Sequence, residues 1–177
     1  MTRRSGAIFV RLTILLGLTF AGFALLQAPA RAAETRAAAW VAHLAGFGRL
    51  QVPSAPSVLV FPVRGQAFRA IVTPSCSSLA SVLAIGCLAA LAPDYAKRRK
   101  VLAAGAAMVA VVVGNIVRIA GSLVIGLLAG RASLVLFHDS IGNIFSFAYT
   151  LGGYIIMLWL LLPSDSVSAG EVVSAAR

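Results

Sequence analysis

The stretch Val101–Gly130, VLAAGAAMVAVVVGNIVRIAGSLVIGLLAG, carries a single charged residue, Arg118, in thirty positions. A helix that is apolar on every face belongs inside a large core or a bilayer, so this segment reads as membrane-embedded. As one straight helix it would measure about 45 Å, against a hydrocarbon core of about 30 Å. It must therefore tilt, break or protrude. Our reading ends the span near Arg118, about 26 Å from Val101, and makes Ile119–Gly130 an outer extension or a re-entrant piece. The alternative sends Ile119 to Phe137 back across the bilayer.

Just before this stretch, Lys97-Arg98-Arg99-Lys100 forms the tight basic loop between apolar runs, and by the positive-inside rule it marks that side as cytoplasmic. Ser75 to about Pro93 reads as the preceding span, and Ile141–Leu162 as the last one, closing at Pro163. The first apolar run, Ile8–Leu26, is led by Arg3, Arg4 and Arg11, which keeps its start in the cytoplasm. A signal peptide competes there, because Ala28-Pro29-Ala30 and Ala30-Arg31-Ala32 both look like cleavage sites. The expected fold is an all-α integral membrane protein with about four transmembrane helices.

Composition agrees with that reading. The chain has 177 residues, 60% hydrophobic, with a mean hydropathy of +0.95 and only 11% charged, against roughly 25% charged in soluble domains. Such a chain could not cover itself with polar surface, and no length remains for a second soluble domain. The net charge of +10 follows from membrane topology, so the lipid bilayer is the expected partner and nucleic acid is not.

Between the first and second spans the chain is extracytoplasmic under either reading of the N-terminus. From Glu34 to Leu50, Trp40, Leu44 and Phe47 recur at helical spacing with Glu34, Arg36, His43 and Arg49 around them, as in a helix lying at the interface. Ser57–Val63 and Gln66–Val72, parted by Arg64-Gly65, read as a small β-hairpin. The expected organisation is an N-terminal transmembrane helix or signal peptide at 1–26, an extracytoplasmic interfacial helix and hairpin at 27–74, a membrane-embedded core bearing the chemistry at 75–163, and a polar cytoplasmic tail at 164–177.

With four spans, Cys76 opens the second, Arg118 closes the third and His138 opens the fourth, so all three lie at the same outer interface. Thr73-Pro74-Ser75-Cys76 has the grammar of a helix start, with Thr73 as N-cap and proline in the first turn. Cys76 near that N-terminus would be favoured as thiolate, hence a nucleophile candidate; its bland alternative is a small buried hydrophobe. Cys87 lies eleven residues further, about 16 Å away along a helix. A disulfide between the two is therefore not possible, and Cys87 reads as packing. Arg118 is either snorkelling to the headgroups or functional, a guanidinium able to stabilise an oxyanion, with Asn115 one turn earlier to orient it. His138 can serve as general base and acid to a thiol, whereas Asp139 suits a capping role because neighbouring helical side chains diverge. His43 reads as a solvated residue without partners. Two histidines and few acids offer no metal-ligand spacing, and no phosphate loop or other cofactor signature is present.

The set resembles the exosortase and archaeosortase family of multispanning membrane enzymes. The matching pieces are Cys76-Ser77-Ser78 after a short hairpin, Asn115-Ile116-Val117-Arg118-Ile119 late in a span, and His138-Asp139-Ser140-Ile141-Gly142 opening another, spread over Val58 to Leu162. The resemblance implies Cys76 as nucleophile, Arg118 as oxyanion or substrate-carboxylate stabiliser and His138 as proton-transfer partner. It also implies transpeptidation: an exported protein's C-terminal sorting signal is cleaved, a thioester forms on Cys76, and the acyl group passes to an acceptor, at the plasma membrane and in a setting such as exopolysaccharide export. This chain departs from the family pattern at Ser78, where a glycine is usual, and in its small number of spans. Two other classes fit the residues less specifically. A non-enzymatic scaffold for envelope polymers would use them in packing, and a small transporter would line a polar path with Asn115 and Arg118.

Overall fold

The structure, a computed structural model, describes residues 3–92 and 96–162. Its elements in chain order are helix α1 (Arg3–Leu44), strands β1 (Leu50–Ser54), β2 (Ser57–Val60) and β3 (Phe68–Ile71), a 3₁₀ turn at Pro74–Cys76, and helices α2 (Leu79–Leu91), α3 (Lys97–Ala129) and α4 (Arg131–Leu136). A π-helical turn at Phe137–Ile141 then joins α4 to α5 (Gly142–Leu161) without interruption.

Among the described residues three helical segments are long and apolar enough to cross a membrane: Phe9–Leu44, Lys97–Ala129 and Arg131–Leu161. The expected second span is shorter than anticipated. Helix α2 has 13 residues, about 20 Å of rise, because Pro74–Cys76 closes a separate 3₁₀ turn and Ser77 is extended. The chain is thus a multi-pass helical membrane protein, with three long apolar helices and one short one among the described residues. The tail expected at 164–177 lies outside the described residues.

The N-terminal helix also differs. No break separates a span ending at Leu26 from an interfacial helix beginning at Glu34; α1 runs through both, Pro29 included. Its C-terminal half is held by packing against protein. The buried residues there are Glu34, Thr35, Ala38, Ala39 and Ala42, whereas Trp40 and Leu44, expected to mark the apolar face, are exposed. Alanines let the α1 backbone approach the sheet and α3 closely, and Ala38 and Ala42 share a core with Leu50, Val58, Val60, Ile119, Leu123 and Leu127.

The hairpin is part of a three-stranded antiparallel sheet of order β1-β2-β3. Val58 faces Ala70 and Val60 faces Phe68 across β2 and β3, while Leu50 faces Val60 across β1 and β2. The loop between β2 and β3 is tied to the end of α3 by Val63 N–H donating to Leu127 C=O at 2.8 Å. Helix α3 is continuous past Arg118 to Ala129, so Ile119–Phe137 does not return as a separate span. Gly130, at φ 85°, supplies the left-handed residue that turns the chain into α4.

A second core holds the other end of the bundle, where Ile85, Ala103, Ala104, Ala107, Val111, Met157 and Leu161 pack α2, α3 and α5. Arg99 closes that end by donating to the carbonyls of Leu160 and Leu162, each at 2.7 Å. Those are orphan carbonyls at the C-terminus of α5, where a cation also complements the helix dipole.

Candidate active site

Cys76 ends its 3₁₀ turn with its amide donating to Thr73 C=O at 3.0 Å. It does not stand inside the N-terminus of an α-helix, so the expected polarisation by a helix dipole is replaced by side chains. Thr73 makes no capping bond; its hydroxyl lies 3.0 Å from Cys76 Sγ and 2.9 Å from Ser75 Oγ. On the other side of the sulfur, His138 Nε2 stands at 3.0 Å. Burial pushes the Cys76 thiol up, and the hydrogen bonds from His138 and then Thr73, with the imidazole's charge, outweigh it and bring the thiol down to about 7. The thiolate is thus favoured relative to a free cysteine.

His138 sits in the π turn, and its Nδ1 lies 3.0 Å from Asp139 Oδ1. Asp139 therefore does not act as the expected cap. The wider π turn brings neighbouring side chains nearer around the helix than an α turn would, and π turns are common at functional sites. With Nδ1–H donated to the Asp139 carboxylate, Nε2 is left to exchange a proton with the sulfur. Asn143 Nδ2 donates to the Asp139 carbonyl at 2.7 Å, bracing the same turn.

Arg118 reaches the imidazole from α3, its Nη2 3.4 Å from His138 Nε2. It is 4% exposed, and its Nε has no hydrogen-bond partner among the described residues. No carboxylate pairs with it there. Space for the guanidinium depends on Gly142: a Cβ at that position would stand 3.0 Å from Arg118 Nε. The three expected residues, from three separate segments, thus converge on one point.

The supporting residues are arranged differently from expectation. Asn115 does not orient Arg118. Its Nδ2 donates to the Cys76 carbonyl at 2.9 Å, and its Oδ1 accepts from Tyr149 Oη at 3.0 Å. The hydroxyl of Ser146 lies 2.9 Å from Tyr149 Oη, so a chain from α5 through α3 fixes the backbone that bears the sulfur. Glu34, expected as a surface charge, is buried instead, and its Oε1 accepts from the Ser78 amide at 3.0 Å and the Ser78 hydroxyl at 2.5 Å. Ser78 therefore has a bond that a glycine there could make only through its amide.

Of the remaining residues, His43 is not unpartnered: Nε2 lies 3.1 Å from the Leu50 carbonyl, tying α1 to β1. Cys87 is remote from the site, its Sγ 2.7 Å from Thr19 Oγ1 in α1, and both cysteines are free. Among the described residues no group of three or more His, Cys, Asp or Glu side chains is placed to hold a metal ion. A cavity of about 400 Å³ opens onto Cys76 and His138, walled by β3 on one side and by α4 with the π turn on the other.

No curated protein and no solved structure matches the chain. A family profile described as transmembrane exosortase matches residues 3–159, from the first turn of α1 to the last turns of α5, and takes in Cys76, Arg118 and His138 together. The chain belongs to the transmembrane exosortase family.

Proposed function

We propose that this chain is a membrane cysteine transpeptidase that cleaves C-terminal sorting signals of exported proteins and hands the acyl group to an acceptor. The observation that carries the proposal is the 3.0 Å approach of Cys76 Sγ to His138 Nε2, beside a buried guanidinium that has an unpartnered N–H. The thiol proton moves to His138 Nε2 as sulfur attacks the scissile carbonyl carbon. The carbonyl oxygen then takes on negative charge within reach of Arg118, which no carboxylate among the described residues neutralises, so the stabilisation is greatest when that charge develops. Collapse breaks the C–N bond, His138 returns its proton to the leaving amine, and a thioester remains on Cys76. An acceptor amine or other nucleophile attacks it, gives its proton to His138 and releases the thiolate. Asp139 holds the imidazole in the required tautomer throughout.

Orientation follows from charge. The basic end of α3, Lys97–Lys100, lies 21 residues before Arg118, about 32 Å along the helix. The positive-inside rule assigns that end to the cytoplasm and the site to the outer face of the plasma membrane, where exported polypeptides and envelope polysaccharide meet it.

The test is processing of a co-expressed partner, chosen as a neighbouring reading frame that ends in a short motif, an apolar helix and a basic tail. Cleavage is expected with the natural chain and lost in Cys76→Ala at unchanged membrane abundance. Normal cleavage by Cys76→Ala would end the proposal.

A further inference from the structure

Strand β3 is the edge of its sheet, and its residues Phe68–Ile71 line the cavity beside Cys76. The hydrogen-bond alternation shows which groups that edge presents. Val72 N–H donates to Pro56 C=O, and in the observed register Ala70 lies opposite Val58 and Phe68 opposite Val60. In an antiparallel ladder, bonded and non-bonded pairs alternate. Ala70 and Phe68 therefore bond to β2, while the N–H and C=O groups of Arg69 and Ile71, two residues that line the cavity, point the other way, toward the unpaired edge. The β1–β2 ladder keeps the same phase: Phe61 N–H donates to Arg49 C=O, so odd-numbered residues of β2 serve β1 and even-numbered ones serve β3. Among the described residues no strand pairs with the free edge.

Such an edge in a membrane enzyme is a template for another chain unless something blunts it. Among the described residues no strand or helix pairs with this one, and it leads through Val72 and Thr73 directly to the sulfur. The opposite wall includes Leu134 and Val135, each about one turn before His138. We infer that the polypeptide substrate adds to the free edge of β3 as a fourth strand, bonded by the main chain of Arg69 and Ile71, so that its scissile carbonyl reaches Cys76 in extended form. This rests on the transpeptidase reading and specifies what that site accepts: an extended, unpaired peptide segment, recognised through its backbone, with alternate side chains lying over Leu134 and Val135. A helical segment presents its N–H and C=O groups to itself and has none to offer the edge.

The test uses acetyl-Ala-Ala-Ala-Ala chloromethyl ketone on the full chain in detergent, with Cys76 alkylation followed by peptide mass analysis, and iodoacetamide as the small reference reagent. In both cases sulfur displaces halide. A series of the same peptide carries one N-methyl group at each amide in turn, which removes one donor and blocks one edge contact without altering the protein. The expected result is a period-two pattern, with methylation at alternate amides slowing alkylation tenfold or more and methylation between them having less than a twofold effect. Equal rates across the series, with iodoacetamide still labelling Cys76, would overturn edge addition and leave the transpeptidase reading standing. Failure of iodoacetamide to label Cys76 near neutral pH would overturn both.

Discussion

Helix α3 has two halves built on opposite principles. Towards its basic end the buried residues are Ala103, Ala104, Ala107 and Val111, which touch Ile85, Met157 and Leu161 and include no polar side chain. Beyond Gly114 the buried residues include Asn115, Arg118 and Ser122. The first half gains stability from close packing of small and branched side chains. The second buries groups that each cost free energy unless bonded, and it bonds nearly all of them: Asn115 to Cys76 and Tyr149, Ser122 to the Arg118 carbonyl at 2.9 Å. Arg118 Nε is the exception. Most of the polar network serves to fix the backbone, and the one donor left over belongs to the guanidinium whose Nη2 reaches the imidazole.

The largest effect is therefore expected at Arg118. Arg118→Ala should lower partner processing by about a hundredfold to a thousandfold, the range for loss of an oxyanion donor. Thermal stability of the solubilised protein should hold, since no carboxylate is left unpaired. Arg118→Lys should not restore the rate, because a point charge on a flexible stem cannot reproduce the guanidinium's fixed donors. Near-normal turnover by Arg118→Ala, measured on the same partner, would make this half of α3 no different in kind from the other.

A smaller effect is expected where the network meets the thiol. Thiolate is the reactive form, so alkylation of Cys76 should rise with pH, pass its midpoint at about 7 and level off above it. His138→Ala removes the first of the bonds that offset burial, so the midpoint should move upward and the rate at pH 7 should fall by about tenfold or more. Iodoacetamide rates measured from about pH 5.5 to about pH 9, a range that brackets the free-thiol value, check it. An unshifted midpoint would mean the imidazole does not act on the sulfur.

What could be read in the sequence follows the same division. Cys76, Arg118 and His138 stood out because each is polar or reactive where hydropathy demands otherwise. Glu34 was hidden among charges that looked solvated. The available signal was that it is the only acidic residue before Asp94, and a lone acid in a basic chain invites the question of what it bonds. Tyr149 reads as one more aromatic of an apolar helix. Hydropathy falls after Leu26, but a helix need not end there when Ala38 and Ala42 can pack on a sheet. Strand β1 escaped notice because Pro53 lies in it, a residue tolerated only at edges or bulges. Both hold here: β1 is an edge, and its register shifts between Gln51 and Ser54. The order of the strands, like the π turn that pairs His138 with Asp139, depends on contacts between distant residues and leaves no local pattern.

The smallest effect belongs to the packed half, and it separates two adjacent glycines of α5. A Cβ at Gly153 would stand 2.6 Å from Val111 Cγ2 and 3.2 Å from the Ala107 carbonyl oxygen, whereas one at Gly152 meets nothing within 4 Å. Val111 is fully buried and Ala107 O is backbone, so neither can swing aside cheaply. Gly153→Ala should therefore cost about 1–3 kcal/mol through overpacking, while Gly152→Ala should be neutral or gain up to about 1 kcal/mol from helix propensity. Thermal unfolding midpoints of the two variants in one detergent measure the difference. The pH midpoint for Cys76 alkylation should be unchanged in both, since strain at this end of α3 does not touch the groups around the sulfur. Equal tolerance of alanine at the two positions would mean that α3 and α5 do not approach closely at Val111, and the packed half of the bundle would need another source of stability.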